Sequence, residues 1–451
     1  LNAKLFAPNA LGQLHMLLKP NTPLRSALAT ATYSLLSLDQ SHAAVAHSDL
    51  FSSDNPWGVS SAILYYSEKD RVSVVEPVVQ IKTEIDDGEF ITFKFAYDSI
   101  SGATPSGATP TNIARTFGTT TQTTTSGSGG STTHTTVPLV TPAHALPLVN
   151  FSDERYAASV DWEQPLTRIL RGIFGASVSQ EHDYASLGAS ASLLWDINNK
   201  LTTLTMGASV DADQVTPTGG NNPPFASVNS SQSTPGSDSK NSYDVLLGIT
   251  QVMTRRTLMQ FNYTRGASSG YLTDPYKLVS VVDAGGNTTD YLHEKRPATR
   301  VRNALYWKTV YHLTQDVVHF SYRHYWDDWG ITAGTADATY RFTLARDSYL
   351  EPHLRYYTQT AADFFVHSLT AEGRLPDFAS ADLRLGAFHS LTTGLRYGVE
   401  FYKGAEYGIG MDYMKQTGDG HPASAVGLQK NENLFPDLKA LSVFADFSLK
   451  F

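Results

Sequence analysis

Apolar and polar residues alternate along this chain in segments of about ten, the length a tilted strand needs to cross a hydrocarbon layer. Over 90–98, Ile91, Phe93, Phe95 and Tyr97 share one parity, and Thr92, Lys94 and Asp98 the other. Over 186–195, Leu187, Ala189, Ala191, Leu193 and Trp195 alternate with Ser190 and Ser192, and 201–211 repeats this with Leu204, Met206, Ala208 and Val210. The same period runs through 57–66, 72–82, 156–162, 170–178, 243–249, 257–263, 301–313, 318–326, 331–344, 350–356, 383–387 and 393–401. In the last segment Leu441, Val443, Ala445, Phe447, Leu449 and Phe451 oppose Ser442, Asp446, Ser448 and Lys450. One face for lipid and one for water on about sixteen strands predicts an all-β fold, a transmembrane antiparallel up-and-down β-barrel.

The connections support this independently. Short ones fall at 86–88, 164–166, 197–199, 254–256, 314–316, 345–347 and 390–392, every second position, as periplasmic turns must. Long ones near 99–154, 212–241, 267–299 and 403–437 fall at the alternate, extracellular positions. The stretch 104–136 is rich in Gly, Ser, Thr and Pro with little to bury, so disorder is its expected state. Trp57, Trp162, Trp195, Tyr311, Trp326 and Trp329 fall near strand ends, where amphipathic rings suit a membrane interface. A closing aromatic such as Phe451 resembles the C-terminal signature of bacterial outer-membrane barrels.

Before the barrel, Lys19 and Arg25 precede a Ser-diluted apolar stretch over 26–38 and an Ala44-Val45-Ala46 site, so 1–46 reads as a signal peptide with Met16 as a plausible start. Residues 47–56 form a short periplasmic lead-in and 57–451 the barrel. With no cysteine in 451 residues, disulfides, zinc–thiolate sites and thiol catalysis are excluded. A net charge of −9 argues against nucleic acid as a partner.

About sixteen strands enclose a lumen too wide for side chains to fill. On the inward parity, later strands carry Arg302, Arg323, Arg341, Arg355, Arg384 and Arg396, while earlier strands carry Glu76, Asp98, Asp161 and Asp244. Two opposed walls of charge set a transverse field usable for selectivity in a pore. Alternatively Arg323, Arg341, Arg355 and Arg384 pair with Asp327, Asp337, Glu351 and Asp382 on neighbouring strands as a stiffening ladder.

Other chemistry is sparse. In Glu181-His182-Asp183 the imidazole points away from its neighbours on an extended strand, so at most two of the three share an ion. The stretch 283–287 with Asp290 spaces oxygen ligands around glycines as a calcium loop does, without the closing Glu. His324 with Asp327 and Asp328, and His353 beside Glu351, are candidate acid–base pairs, and no serine lies in a nucleophile context. No enzyme activity, metal or cofactor is expected.

Several stretches resemble the DUF3570 family of proteobacterial outer-membrane proteins: 64–68 with Asp70-Arg71-Val72, 97–105, 274–279, 322–330, Tyr356-Tyr357 with 361–365, and 382–386. The resemblance spans nearly the whole chain and implies a barrel without an agreed activity; the Thr-rich insertion after Pro110 departs from it. Members are encoded near small lipoproteins, thioredoxin-like proteins and flavin transferases, which implies a possible periplasmic lipoprotein or redox partner by association. The expected function is a diffusion or selective pore for small solutes or ions in the lipid of the outer membrane. The alternatives are a scaffold barrel sheathing such a partner and an outer-membrane hydrolase acting through His324 and Asp327.

Overall fold

The computed structural model describes residues 57–126, 131–230, 233–345, 347–402 and 404–450. The expected export segment over 1–46, the lead-in over 47–56 and Phe451 lie outside them. The strands in chain order are β1 (Trp57–Glu68), β2 (Val72–Asp86), β3 (Glu89–Pro105), β4 (Arg115–Ser126), β5 (Ser131–Thr141), β6 (Leu148–Pro165), β7 (Leu170–Gln180), β8 (Tyr184–Ile197), β9 (Thr202–Val215), β10 (Asp238–Thr254), β11 (Thr257–Gly270), β12 (Leu278–Val282), β13 (Thr288–His293), β14 (Thr299–His312), β15 (Val317–Asp327), β16 (Thr332–Ala345), β17 (Ser348–Gln359), β18 (Ser368–Thr370), β19 (Phe388–Tyr402), β20 (Ala405–Gly418) and β21 (Leu438–Lys450). Sixteen of them, all but β4, β5, β12, β13 and β18, form a closed antiparallel ring. Closure is made by β1 on β21, in register from Gly58 opposite Lys450 to Glu68 opposite Ala440. No helix among the described residues is long and apolar enough to cross a membrane.

Parity decides the two faces. On β8, Leu187, Leu193 and Trp195 are 64%, 43% and 49% exposed, whereas Ser186, Ser192 and Leu194 between them are below 9%. A band of exposed Leu, Val, Ile and aromatic side chains of this kind surrounds the ring, from Ile63 and Phe95 to Met411. So large an apolar surface is stable against hydrocarbon and not against water. Trp57, Trp162, Trp195 and Tyr311 all lie outward near the short-turn end and form one aromatic girdle. Trp326 faces outward at the other end, in register with Asn303. Trp329 departs from expectation, being 2% exposed: its ring packs edge-on to Phe364 and its Nε1 donates to the Thr299 carbonyl at 2.8 Å. It is packed into the loops and does not stand at the membrane interface.

The ring has as many strands as the periodicity counts, through two compensating errors. Residues 383–387 are not a strand; Leu383–Leu385 is a 3-10 turn inside the loop joining β17 to β19. The stretch 403–437, expected as a loop, contains β20, and 390–392, expected as a turn, lies inside β19. The alternation of Leu383, Leu385 and Ala387 imitates a strand, whereas β20 carries the period in full, with Tyr407, Ile409, Met411 and Tyr413 outward and Gly408, Gly410 and Asp412 between them, inside a stretch expected as loop. Arg384 is therefore not a strand residue of the barrel wall. The Thr-rich stretch after Pro110, expected to be disordered, carries the β4–β5 hairpin, paired from Arg115 opposite Thr141 to Ser126 opposite Ser131. Its β-branched threonines suit a pleated ribbon better than their polarity suggests.

Val210 lies on the outward face of β9 and is 47% exposed, near mid-height of the apolar band. Val210→Arg should destabilise the bilayer-embedded barrel by about 2–4 kcal/mol, read from the denaturant midpoint of tryptophan fluorescence; an unchanged midpoint would mean that this face does not meet lipid.

Candidate functional site

The inward parity brings the charges together locally. Arg155 on β6 bonds Asp98 on β3, its register partner. Lys94 stands within Coulomb reach of Glu76, Asp98, Arg155 and Asp161. Lys82 and Arg171 share Glu163, at 3.4 and 2.8 Å, and Lys240 meets Asp213 at 3.0 Å.

Besides Lys82 and Glu163, which meet over β3, three pairs reach over an intervening strand across a glycine. Arg302 on β14 and Asp244 on β10 approach to 3.6 Å over Gly266 of β11, where a Cβ would stand 2.1 Å from Asp244 Oδ1. His353 on β17 meets Asp412 on β20 at 2.9 Å over Gly394. Arg396 on β19 grips Asp446 on β21 at 2.6 Å over Gly408. Flanking strands are about 9–10 Å apart, twice the interstrand spacing. The missing side chain lets both partners lean across the gap.

Of the other expected arginines, Arg341 lies 3.6 Å from Glu406 with its guanidinium over the Tyr349 ring, and Arg355 bonds Asp337 at 2.7 Å. Arg323 differs, lying over the Tyr325 ring at 5.3 Å with no hydrogen-bond partner at Nε. Asp327, the acid expected for Arg323, is held by Arg300 at 2.5 Å. The expected ladder between neighbouring strands is present in part: Arg355 on β17 takes Asp337 on β16, while Arg341 reaches Glu406 on β20. Arg384 likewise takes an expected acid, Asp382, but within its own loop. Within the ring no ion pair among the described residues spans more than three strand steps. The basic and acidic arcs do not face each other as bare walls, since most of their members are neutralised on their own side of the lumen.

The long loops meet over the opening. Leu278 N donates to Ser106 O at 2.7 Å, and Thr109 N to Ser280 Oγ at 3.0 Å, joining the loop after β3 to the loop after β11. These loops arise six strand positions apart in a ring of sixteen, so they join across the mouth. The loop after β17 adds β18 beside β12 and a two-way backbone bridge between Lys295 and Ala379. The loop after β20 contributes Leu428 N to Gly285 O, and the loop after β9 contributes Phe225 N to His293 O. Val279, Ser280, Val282, Ala379 and Ser380 have no exposed surface, as in a protein core.

At the centre of this cap is a buried ionic knot that sequence reasoning did not assemble. Arg296 lies 2.6 Å from Glu294 and 2.9 Å from Asp382; Arg384 lies 2.5 Å from Asp382 and 2.8 Å from Asp274. Ser380 Oγ and the Asp274 N–H donate to Glu294, and Lys277 Nζ donates to the Pro105 carbonyl. Burial raises the Asp382 carboxyl, but Arg384, Lys277 and Arg296 outweigh it and hold the group well below the ordinary aspartate range. Beside the knot, Leu272, Trp329, Ile331, Ala362, Phe364 and Leu385 form one apolar cluster.

A model of the protein family described as DUF3570, a protein of unknown function, matches residues 25–451. The chain belongs to the DUF3570 family. The stretches carrying the resemblance in sequence converge on the cap: 97–105 meets Lys277, 274–279 and 382–386 form much of the knot, and 322–330 and 361–365 supply Trp329 and Phe364. This convergence was the one available signal for the site. No curated protein matches the chain in sequence. Among solved structures it is similar to a bacterial polysaccharide outer membrane secretin, with 8% identity and a TM-score of 0.42, covering 88% of this chain and 99% of that one. It is also similar to a mutant of the ferric enterobactin receptor PfeA from Pseudomonas aeruginosa, with 8% identity and a TM-score of 0.41 over 86% of this chain, but it spans only 59% of that receptor. A loop-deletion mutant of OmpT from Vibrio cholerae aligns at 8% identity and a TM-score of 0.40, over 87% of this chain and 98% of that one.

The remaining candidates resolve simply. His324 is on the outer face beside Trp326, whereas Asp327 points inward to Arg300, so the two do not form an acid–base pair. His353 is held between Asp337 and Asp412. Asp283 accepts the Asn287 N–H at 2.8 Å in an ordinary turn, and Asp290 accepts from Ser227. Glu181 and Asp183 stand with Asp153, not with His182, whose backbone N–H donates to Asp153.

Asp382→Asn leaves Arg296 and Arg384 undercompensated in a buried site, at a cost of about 3 kcal/mol. Hydrogen exchange over 271–298 should then quicken by about a hundredfold. In the unaltered protein the depressed Asp382 makes its full contribution above its unfolded value of about 4 and loses it as the pH falls further. Exchange in the cap, corrected for intrinsic rate, should be constant from pH 8 to 5 (roughly, as set by that value) and rise below about pH 4.

Proposed function

We propose that this protein is a bacterial outer-membrane channel for small polar solutes or ions, its short turns in the periplasm and its interlocked loops covering the extracellular mouth. The carrying observation is the arrangement of the wall: the ion pairs run around the ring and leave its middle unbridged. A ring of sixteen tilted strands is about 30 Å across between backbones. A polar wall of that width holds water, and solutes pass when the cap yields. No reaction is assigned to it.

In this reading selectivity rests on cations that lack a carboxylate more than on those that have one. Arg323, with Tyr325 beside it, is the foremost of these. Arg396 and Arg302 contribute mainly to the rigidity of the wall. A second reading, a sheath for a periplasmic lipoprotein or redox partner, draws on the same covered mouth, since a barrel closed outside receives a partner from the short-turn end.

Single-channel recording on the purified full chain tests the proposal. Brief, small openings are expected, with long openings in Asp382→Asn. Arg323→Ala should lower anion over cation permeability by about twofold or more, the effect of removing one unpaired lumen charge, with a smaller change in Arg396→Ala. A barrel silent with and without the intact knot, retaining a small periplasmic protein through purification, would replace the channel by the sheath.

A further inference from the structure

The outer face of the barrel is not uniform. On β10, β11, β14 and β15 three successive rows of outward residues are fixed by the register: Ile249, Phe261, Trp307 and Tyr322; then Leu247, Tyr263, Leu305 and His324; then Val245, Arg265, Asn303 and Trp326. The first two rows line a groove of about 660 Å³ on the side of the molecule that meets lipid. Phe261 and Trp307 lie nearly parallel there, 6.3 Å between ring centroids. Trp307 Nε1 is buried and has no hydrogen-bond partner.

The third row is polar. Tyr263 Oη and Arg265 Nη1 both donate to Asn303 Oδ1, at 3.0 and 3.1 Å, so a neutral amide steadies the guanidinium and leaves its charge intact. Arg265 is exposed and, among the described residues, takes part in no ion pair. The other arginines of the strands point inward, where most meet a carboxylate. A lone cation on this face is costly at mid-bilayer and far less so near the interface. Arg265 stands eight residues above Thr257, whose register partner Tyr311 belongs to the aromatic girdle. On a strand tilted by about 40° that is about 20 Å, and an extended arginine adds about 5 Å, which brings its charge to the upper edge of a band about 25 Å tall.

We infer that this face is a binding site for a phosphate-bearing lipid of the outer leaflet, with an acyl chain in the aromatic groove and the phosphate on Arg265. The charge is complementary, and the guanidinium presents paired donors to phosphate oxygens. A zwitterionic lipid fills the groove equally well but brings its own cation to the phosphate, so the preference is for the anionic headgroup. The inference rests on the membrane location of the barrel and is independent of whether it conducts.

The test is native mass spectrometry of the folded full chain in detergent, titrated with phosphatidic acid or with phosphatidylcholine of the same chains. One phosphatidic acid per barrel should be retained at about tenfold lower concentration than phosphatidylcholine. Arg265→Gln should abolish that preference and Arg265→Lys keep most of it, while Trp307→Ala weakens both lipids; heat-dependent gel mobility confirms folding of each variant. Millimolar inorganic phosphate should not displace the lipid, as chain and headgroup bind together. Equal retention of the two lipids, or an unchanged preference in Arg265→Gln, would overturn the site, and a dimer lost in Trp307→Ala would assign the groove to a second copy instead. Failure of the folded chain to enter phospholipid vesicles would overturn the membrane location itself; entry without lipid preference overturns only the lipid site.

Discussion

Everything in this molecule depends on the pairing of β1 with β21. A sheet that meets hydrocarbon cannot leave an edge, because each unpaired N–H or C=O there lacks water to bond. The register from Gly58–Lys450 to Glu68–Ala440 removes both edges at once. Once the ring is closed, parity has only two destinations, lipid or lumen, and every strand must obey the same assignment. Near the cap the inward face of this seam is itself apolar: Leu64, Tyr66, Val74, Ile100 and Phe444 form one cluster. The seam is thus held by side-chain packing as well as by its backbone ladder.

The closed ring creates the second problem, the many charges placed on its inner face. Some of them keep partial exposure, but Arg302, Asp244, Arg396 and Glu76 are all below 5% exposed. Charges so placed require partners. The wall supplies them at short range, and glycine is the device that makes this possible over an intervening strand. Gly266, Gly394 and Gly408 are empty positions in a crowded face, each occupied by side chains of neighbouring strands. The absence of a Cβ here serves close approach of ionic partners, not backbone flexibility.

The cap applies the same principle above the membrane. A short sheet of β13, β12 and β18 could not bury its faces alone, so it leans on the loops after β3, β9 and β20 and on the Trp329 cluster. The knot of Arg296, Arg384, Glu294, Asp382 and Asp274 fixes how these pieces meet. A site built from segments more than a hundred residues apart, such as Asp274 and Arg384, ties together loops that the strands of the barrel alone do not bring into contact.

The sequence by itself determined the class of fold and the face that the recognised strands turn to lipid, because a two-residue period is a local property that solvent on one side and lipid on the other impose on each segment separately. It did not determine which segments are paired: 383–387 and 407–413 alternate alike, yet the first is a turn and the second the strand β20. Only the tertiary structure decided the partners of the arginines, since register places Asp337 beside Arg355 and an empty glycine admits Asp244 to Arg302. It alone brought 104–105, 274–277, 294–296 and 382–384 to one point over the mouth. Contacts of that kind depend on ring closure and loop crossing, which no local pattern of residues encodes.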